Sequence, residues 1–315
     1  MATLAPPPTA SETIATIVAR GGQRLADVDE AALIGAYTSY GAVLLRGFAP
    51  DLDAFGAFTA RYCSGSVFNE SGGRQVLNSK NLIQTVNLGD EAFPLHPELS
   101  REPWKPDVCF FWCDGAPSAG GETTVCDGVE LVKRLPTSAY DALRTRRLRY
   151  VMPATPSALA YWLGTPTPSD AVMANPPQTC PYTFERTARG IVRVYSPPAL
   201  HKPMFASDLA FGNFLLFARY MNNNRNFPLF ENGDVIPDDL VHQIKTTSDA
   251  ITLPVAWRPG DLLMLDNTRF MHGRNKILDC AERKIATYFG FLTFAKPGAD
   301  EIVDPPWRRG VFVPP

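Results

Sequence analysis

The chain has 315 residues, 45% of them hydrophobic and 20% charged, which is enough apolar material for a sizeable buried core. A net charge of −2, with no basic stripe, gives no electrostatic ground for nucleic acid or an anionic membrane as partner. No run approaches the roughly 18 apolar residues of a membrane span, and the N-terminal MATLAPPPTASETIATIVARGG lacks the basic and apolar regions of a secretory signal.

The six cysteines contain no C-x-x-C pair and are too sparse for a disulfide framework. They read as free thiols in a reducing, cytoplasmic location. Residues 1–10 are rich in Pro, Ala and Thr and read as a loose arm, leaving 11–315 as one domain. Ser11 is placed to cap a short helix over 12–19, and an amphipathic stretch follows from Asp27. AVLLRGF (42–48) is a β-type apolar run, whereas Leu52, Phe55, Phe58 and Tyr62 fall at helical spacing. VCFFWC (108–113) and ETTVC (122–126) read as two strands joined by a Gly/Pro turn, with Phe110, Phe111 and Trp112 in the core. A helical interlude follows over 128–145.

The segment 153–203 is rich in Pro, Thr and Ser, with NPP and SPP words that break both helix and ladder. A structureless stretch of this length is commonly a lid or binding loop, with a surface excursion as the alternative, and 155–190 is the part expected to act as the lid. Beyond it, FLLFARY, a helix near 237–249, ITLPVAW, LLMLDN and KIATYFGFLTFA form a β-rich C-terminal half.

Two distant words carry the chemistry: His96-Pro97-Glu98, and His272 with Arg283 downstream. Four His and 32 acids in 315 residues produce a His with an acid two positions later about 0.4 times by accident, so the word alone is weak. On a strand, however, residues i and i+2 share a face, so both side chains can address one ion. The third ligand comes from His201, His242 or His272: His242 sits in a helical stretch, His201 in the Pro-rich region, and His272 near the polar end of LLMLDN. Two His and one carboxylate leave open positions on a metal, the ligand set of non-haem Fe(II) oxygenases. The guanidinium of Arg283 suits a co-substrate with its own carboxylate.

HPELS, FFWCDGAPSAGGETTVCDG, LLMLDNTRFMHGR and ERKIATYFG, with GAVLLRGF near the start, resemble the taurine/2,4-dichlorophenoxyacetate dioxygenase family within the clavaminate synthase-like group. The resemblance runs from about residue 40 to 296 and is weakest over 130–235. It implies a double-stranded β-helix, or jelly roll, with flanking helices mostly from the first 65 residues. His96, Glu98 and His272 match the positions that hold Fe(II). Arg283 and Thr123 match those that bind the distal carboxylate of 2-oxoglutarate, with O2 as the other co-substrate. The acid is Glu98 where taurine-type members carry Asp, and a carboxylate there argues against halogenation.

Hydroxylation is the outcome the resemblance implies first; desaturation, epoxidation and cyclisation use the same oxidant. A metal-binding jelly roll without oxygenase activity, which would need neither Arg283 nor Thr123, and a metal-dependent hydrolase or lyase are the other classes. The expected substrate is a small polar molecule, an amino acid or a derivative from specialised metabolism, free or tethered to a carrier protein. Arg274 either pairs with a substrate carboxylate or anchors its loop against an Asp. The sequence leaves the oligomeric state open.

Overall fold

The computed structural model describes residues 3–5 and 14–315. Its centre is a pair of β-sheets. The larger runs Thr3–Ala5, Ile14–Val18, Ala42–Arg46, Leu262–Asp266, Val108–Gly115, Lys284–Leu292, Cys63–Val67 and Gly310–Phe312 from one edge to the other. The smaller runs Leu253–Pro254, Thr123–Asp127, Phe270–Arg274 and Phe93–His96, all antiparallel. This is the jelly-roll arrangement, and the helices Glu30–Tyr40 and Leu52–Tyr62 cover the outer face of the larger sheet.

The continuous apolar run of Val108–Gly115 follows from burial on both faces. Val108, Phe110 and Trp112 pack outward with Leu33, Tyr37, Phe55 and Phe58 of the covering helices. Cys109, Phe111 and Cys113 point the other way, into the layer that also holds Val125 and Phe270 of the smaller sheet. Leu262 and Met264 alternate with Leu263 and Leu265 in the same manner. A strand sandwiched this way cannot alternate polar with apolar.

Several expectations are corrected. Ile14–Val18 is a strand paired in parallel with Ala42–Arg46, where a helix was expected over 12–19. Its IATIV composition is mostly β-branched and suits a pleated, half-buried edge. Of the arm expected at 1–10, residues 3–5 form a strand against Thr16–Val18; the rest of it, and Ser11, lie outside the described residues. The strands Val108–Gly115 and Thr123–Asp127 do not pair: the chain between them crosses from one sheet to the other. FLLFARY is largely the helix Leu215–Tyr220.

The segment 155–190 is not structureless. Thr155 caps the helix Pro156–Leu163 by accepting from the Ala158 amide, Pro156 occupies the first turn, and Gly164 closes it at φ 75°. Proline at a helix's first position removes an amide that has no intrahelical partner anyway, so the residue that reads as a breaker is here a start signal. Ser169 caps Asp170–Ala174, and Thr183–Thr187 pairs with Gly190–Tyr195. Trp162 and Tyr182 pack with Trp104, their ring centroids 6.4 and 6.2 Å from it, so this segment is bound into the core. Among the described residues, no helix is long and apolar enough to cross a membrane.

Candidate metal centre and co-substrate cradle

His272 lies mid-strand in Phe270–Arg274, directly opposite His96 on one side and Val125 on the other. Directly paired residues in an antiparallel ladder project to the same face, and the two imidazole centroids are 4.7 Å apart. Glu98 arrives differently from the expectation of a shared strand. The strand ends at His96, and Glu98 sits in the turn that follows, with Leu99 in the left-handed region at φ 51°.

Asn267, fully buried, fixes that turn. Its side-chain oxygen accepts from the Glu98 amide at 2.7 Å, and its Nδ2 donates to the carbonyls of Glu98 and Pro106 at 3.1 and 2.8 Å. Asn267→Ala strips the partners from these buried backbone groups, each worth about 1–3 kcal/mol when left unsatisfied. We expect a loss of about 2–4 kcal/mol in denaturant unfolding together with weakened metal affinity. Wild-type metal affinity in this variant would separate the turn from the metal centre.

One donor atom each from His96, Glu98 and His272 lies within 4.8 Å of the others. The Nδ1–H of His96 donates to the Pro94 carbonyl at 2.8 Å, which leaves Nε2 as a lone pair. His272 Nε2 stands 3.8 Å from Glu98 Oε2, while its Nδ1 is buried without a protein partner. Burial holds both imidazoles below their usual pKa, His272 further depressed by His96 and Arg74. Neutral imidazoles and a buried carboxylate, one donor atom of each within reach of a common point, fit a divalent ion. Glu98 is also held by Asn69, whose Nδ2 donates to Oε1, and by Arg74, 3.1 Å from Oε2.

The second half of the site lies along the same cavity, of about 240 Å³. Arg283 is buried and donates through Nε to the Gly121 carbonyl at 2.6 Å and through Nη2 to Thr123 Oγ1 at 3.3 Å. Gly121, at φ 67°, favours glycine: a Cβ there would be strained by the backbone and would meet Arg283 Cδ and Ile277 Cγ1 at 3.0 Å. Thr123 Oγ1 also accepts from Trp257 Nε1 at 3.0 Å. With its lone pairs engaged by two donors, the hydroxyl hydrogen remains for an acceptor in the cavity. Burial, with Arg274 nearby, lowers Arg283 to about 10, so it stays cationic at neutral pH.

A family model for taurine catabolism dioxygenase TauD, TfdA family matches residues 6–287. The chain belongs to this family. It is accordingly an Fe(II)- and 2-oxoglutarate-dependent oxygenase of the TauD/TfdA type. A clavaminate synthase-like protein of Arabidopsis thaliana is 25% identical over 260 residues, covering 74% of this chain and 77% of the relative. Among solved structures, PvcB from Pseudomonas aeruginosa aligns with TM-score 0.61 at 15% identity, covering 93% of each chain. A taurine dioxygenase from Burkholderia xenovorans aligns with TM-score 0.60 at 14% identity, covering 98% of this chain and 97% of the other. At these identities the likeness is one of fold.

Of the residues singled out in the sequence, His96, Glu98, Thr123, His272, Arg274 and Arg283 all line one cavity. Arg274 takes the loop-anchoring arrangement, with backbone carbonyls in place of an Asp. Its guanidinium donates to the carbonyls of Asn87, Gly89 and Glu91, and it lies 4.5 Å over the Phe93 ring. Phe111, expected only in the core, also faces the cavity, its ring 5.0 Å from His272. Asn69, Arg74, Trp257 and Asn267 were missed. No local spacing marks Asn69 or Arg74, whereas Asn267, in the word LDN just before the His272 strand, stands where a site-positioning residue was open to notice.

His201 and His242 stay apart from the centre. His242 is on the helix Asp238–Asp249, and the His201 ring Nε2–H donates to the Thr268 carbonyl at 2.7 Å. Burial, with Lys105 adding to it, pushes His201 down to about 3. The unfolded imidazole titrates near 6.5, so above that pH the group contributes nothing to stability. As pH falls from about 6.5 towards 3 only the unfolded chain takes the proton, and the fold is progressively penalised, by no more than about 2 kcal/mol at pH 5. His201→Gln should therefore lose less melting temperature than wild type between pH 7.5 and 5; equal losses would contradict the assignment.

Proposed function

We propose that the chain oxidises a C–H bond of a small polar substrate, an amino acid or amino-acid-derived metabolite of specialised metabolism, with hydroxylation as the default outcome. In this reading His96, Glu98 and His272 hold Fe(II), and Arg283 with Thr123 bind the distal carboxylate of 2-oxoglutarate. The observation that carries it is the convergence of a neutral His/Glu/His set and a carboxylate cradle on one cavity. Bound there, Fe(II) and 2-oxoglutarate supply O2 activation and C–H oxidation, releasing succinate and CO2.

The protein's own part is placement and exclusion of water. His96 is fixed in one tautomer by the Pro94 carbonyl, and Glu98 is aimed by Asn69 and Arg74. Arg283 offers a planar fork and Thr123 a hydroxyl donor, so an incoming carboxylate meets preorganised partners and pays little ordering entropy. Phe93, Phe111, Phe214 and Phe217 form the apolar lining that limits water near the reacting centre. The size of the cavity favours a compact substrate. Whether that substrate is free or carrier-bound is read by offering both.

The test is to incubate the Fe(II)-loaded protein with 2-oxoglutarate and pooled amino acids, free and carrier-tethered, following succinate and product mass. A product heavier by one oxygen supports hydroxylation. A loss of two hydrogens replaces it with desaturation or cyclisation, and turnover confined to large apolar compounds overturns the polar-substrate reading.

A further inference from the structure

The hydroxyl of Thr123 can serve an incoming group in two ways. It carries one proton to donate and two lone pairs to accept, and it turns among three staggered positions, so on its own it presents either kind of contact to the cavity. Its neighbours remove that freedom. Arg283 Nη2 stands 3.3 Å from Oγ1 and Trp257 Nε1 3.0 Å from it, and both groups are donors only. Arg283 alone would leave one lone pair open; the indole fills it and cannot accept the proton in exchange.

Trp257 reaches this place on a rigid path. Leu253–Pro254 pairs with Val125 and Thr124, which follow Thr123 on its own strand. The Val255 amide then donates to the Thr123 carbonyl at 2.8 Å, and the Trp257 amide to the Val255 carbonyl at 2.9 Å. The turn beyond is clamped by Arg46, whose Nη2 donates to the Ala256 carbonyl and to the Asp261 carboxylate, both at 2.6 Å. Asp261 is buried and also accepts from the Arg258 amide at 2.8 Å. Arg46 ends the strand Ala42–Arg46 of the AVLLRGF run, to which the metal centre and the co-substrate cradle give no other task.

Packing does not account for the indole. Trp257 is half-buried against the core layer that holds Val125 and Val255, a place that any large apolar ring would fill. What a phenylalanine there would lack is the N–H aimed at Thr123. Trp257 is not itself one of the residues lining the cavity, so it acts on a bound group only through that hydroxyl.

Resting on the co-substrate reading above, we propose that Trp257 is a positioning residue for 2-oxoglutarate: by occupying the last lone pair of Thr123 it makes the hydroxyl an obligatory donor to the distal carboxylate. Arg46 and Asp261 hold the indole in place for this. The cradle then presents donors alone, the guanidinium and the hydroxyl, which suits a distal group that only accepts and disfavours one that must donate.

The experiment titrates 2-oxoglutarate by calorimetry into the Mn(II)-loaded protein as wild type, Trp257→Phe, Thr123→Val and the double variant. Trp257→Phe should bind 2-oxoglutarate about three- to tenfold more weakly, the worth of fixing one of three hydroxyl positions and of the polarisation that the indole adds. Thr123→Val should lose about tenfold or more. In the Thr123→Val background the Trp257→Phe change should cost less than about 1.5-fold, because the two side chains act as one unit. Mn(II) affinity should stay within about twofold of wild type in all four proteins, since neither side chain hydrogen-bonds a metal ligand.

A Trp257→Phe protein that binds 2-oxoglutarate as wild type does overturns the proposal. So does an equal loss in both Thr123 backgrounds, which is what a packing role would give, and so does a parallel loss of Mn(II) affinity, which would show a site disturbed as a whole. If Trp257→Phe does not fold, Arg46→Gln decides in the same cycle, since it frees the turn with Trp257 and Thr123 both present. A loss of 2-oxoglutarate affinity that disappears in Thr123→Val then supports the proposal, and an unchanged affinity or an additive loss overturns it. Arg283→Ala in the same series judges the co-substrate reading separately. Undiminished 2-oxoglutarate binding there removes that reading and the proposal with it, whereas a large loss there beside wild-type binding in Trp257→Phe removes the proposal alone.

Discussion

Arg283→Ala is expected to weaken 2-oxoglutarate binding by about 30-fold or more while leaving Mn(II) affinity nearly unchanged. The guanidinium is buried, with Nε spent on the Gly121 carbonyl and Nη2 on Thr123, and Nη1 has no protein partner among the described residues. Truncating one partner of a buried, hydrogen-bonded charge pair costs roughly 2–5 kcal/mol, and each 1.4 kcal/mol is a factor of ten. The variant also leaves the Gly121 carbonyl without its donor, so a modest stability loss should accompany the affinity loss. Arg283→Lys should recover little, because an ammonium replaces the charge but not the two-pronged geometry. Calorimetric titration of the Mn(II)-loaded protein checks this, and unchanged co-substrate affinity in Arg283→Ala would refute the cradle.

The parts of this site that were legible in the sequence are those whose signal is local. GGET announces itself because Gly121 has a left-handed backbone and little room for a side chain against Arg283. His96 and Glu98 are close in sequence, so their pairing was open to reading, but the reason offered was only half right. Two residues on one strand would share a face, whereas here a turn held by Asn267 delivers the carboxylate. His272 needed the cross-strand register with His96, which no single segment carries.

Arg74 and Asn69 were invisible for a related reason. They approach Glu98 from a loop about 25 residues upstream, and polar residues in such a loop look like any solvated surface. The expectation that 155–190 lacks regular structure was overturned for another reason. The segment's prolines and small polar residues were read as breakers, although Thr155-Pro156 and Ser169 are helix starts, and its few large residues, Trp162, Tyr182 and Phe184, bind it to the core. In the β-sandwich, by contrast, uninterrupted apolar runs could be read directly as strands buried on both faces.

His272→Ala should abolish the stabilisation that metal gives the protein without destabilising the metal-free fold. A ligand that binds only the native state raises its stability by RT ln(1 + [L]/Kd), about 2.7 kcal/mol at a hundredfold excess over Kd. Wild type should show the melting-temperature rise that such a stabilisation produces when Mn(II) is added. Loss of one of three protein ligands should weaken binding by well over about 100-fold, beyond the range typical of outer partners, so the rise should vanish in the variant. In the absence of metal, His272 is a poor contributor to the fold: its imidazole is buried and driven below its usual pKa, and its Nδ1 lacks a partner. Replacing it with alanine removes that unsatisfied nitrogen at the expense of ring packing against Phe111 and His96. The two effects oppose each other, so the metal-free melting temperature should change little. The same substitution at His201 should leave the metal-dependent rise intact, since that ring is committed to the Thr268 carbonyl. A rise that persists in His272→Ala and disappears in His201→Ala would place the ion elsewhere and remove the basis for reading this cavity as the oxidising centre.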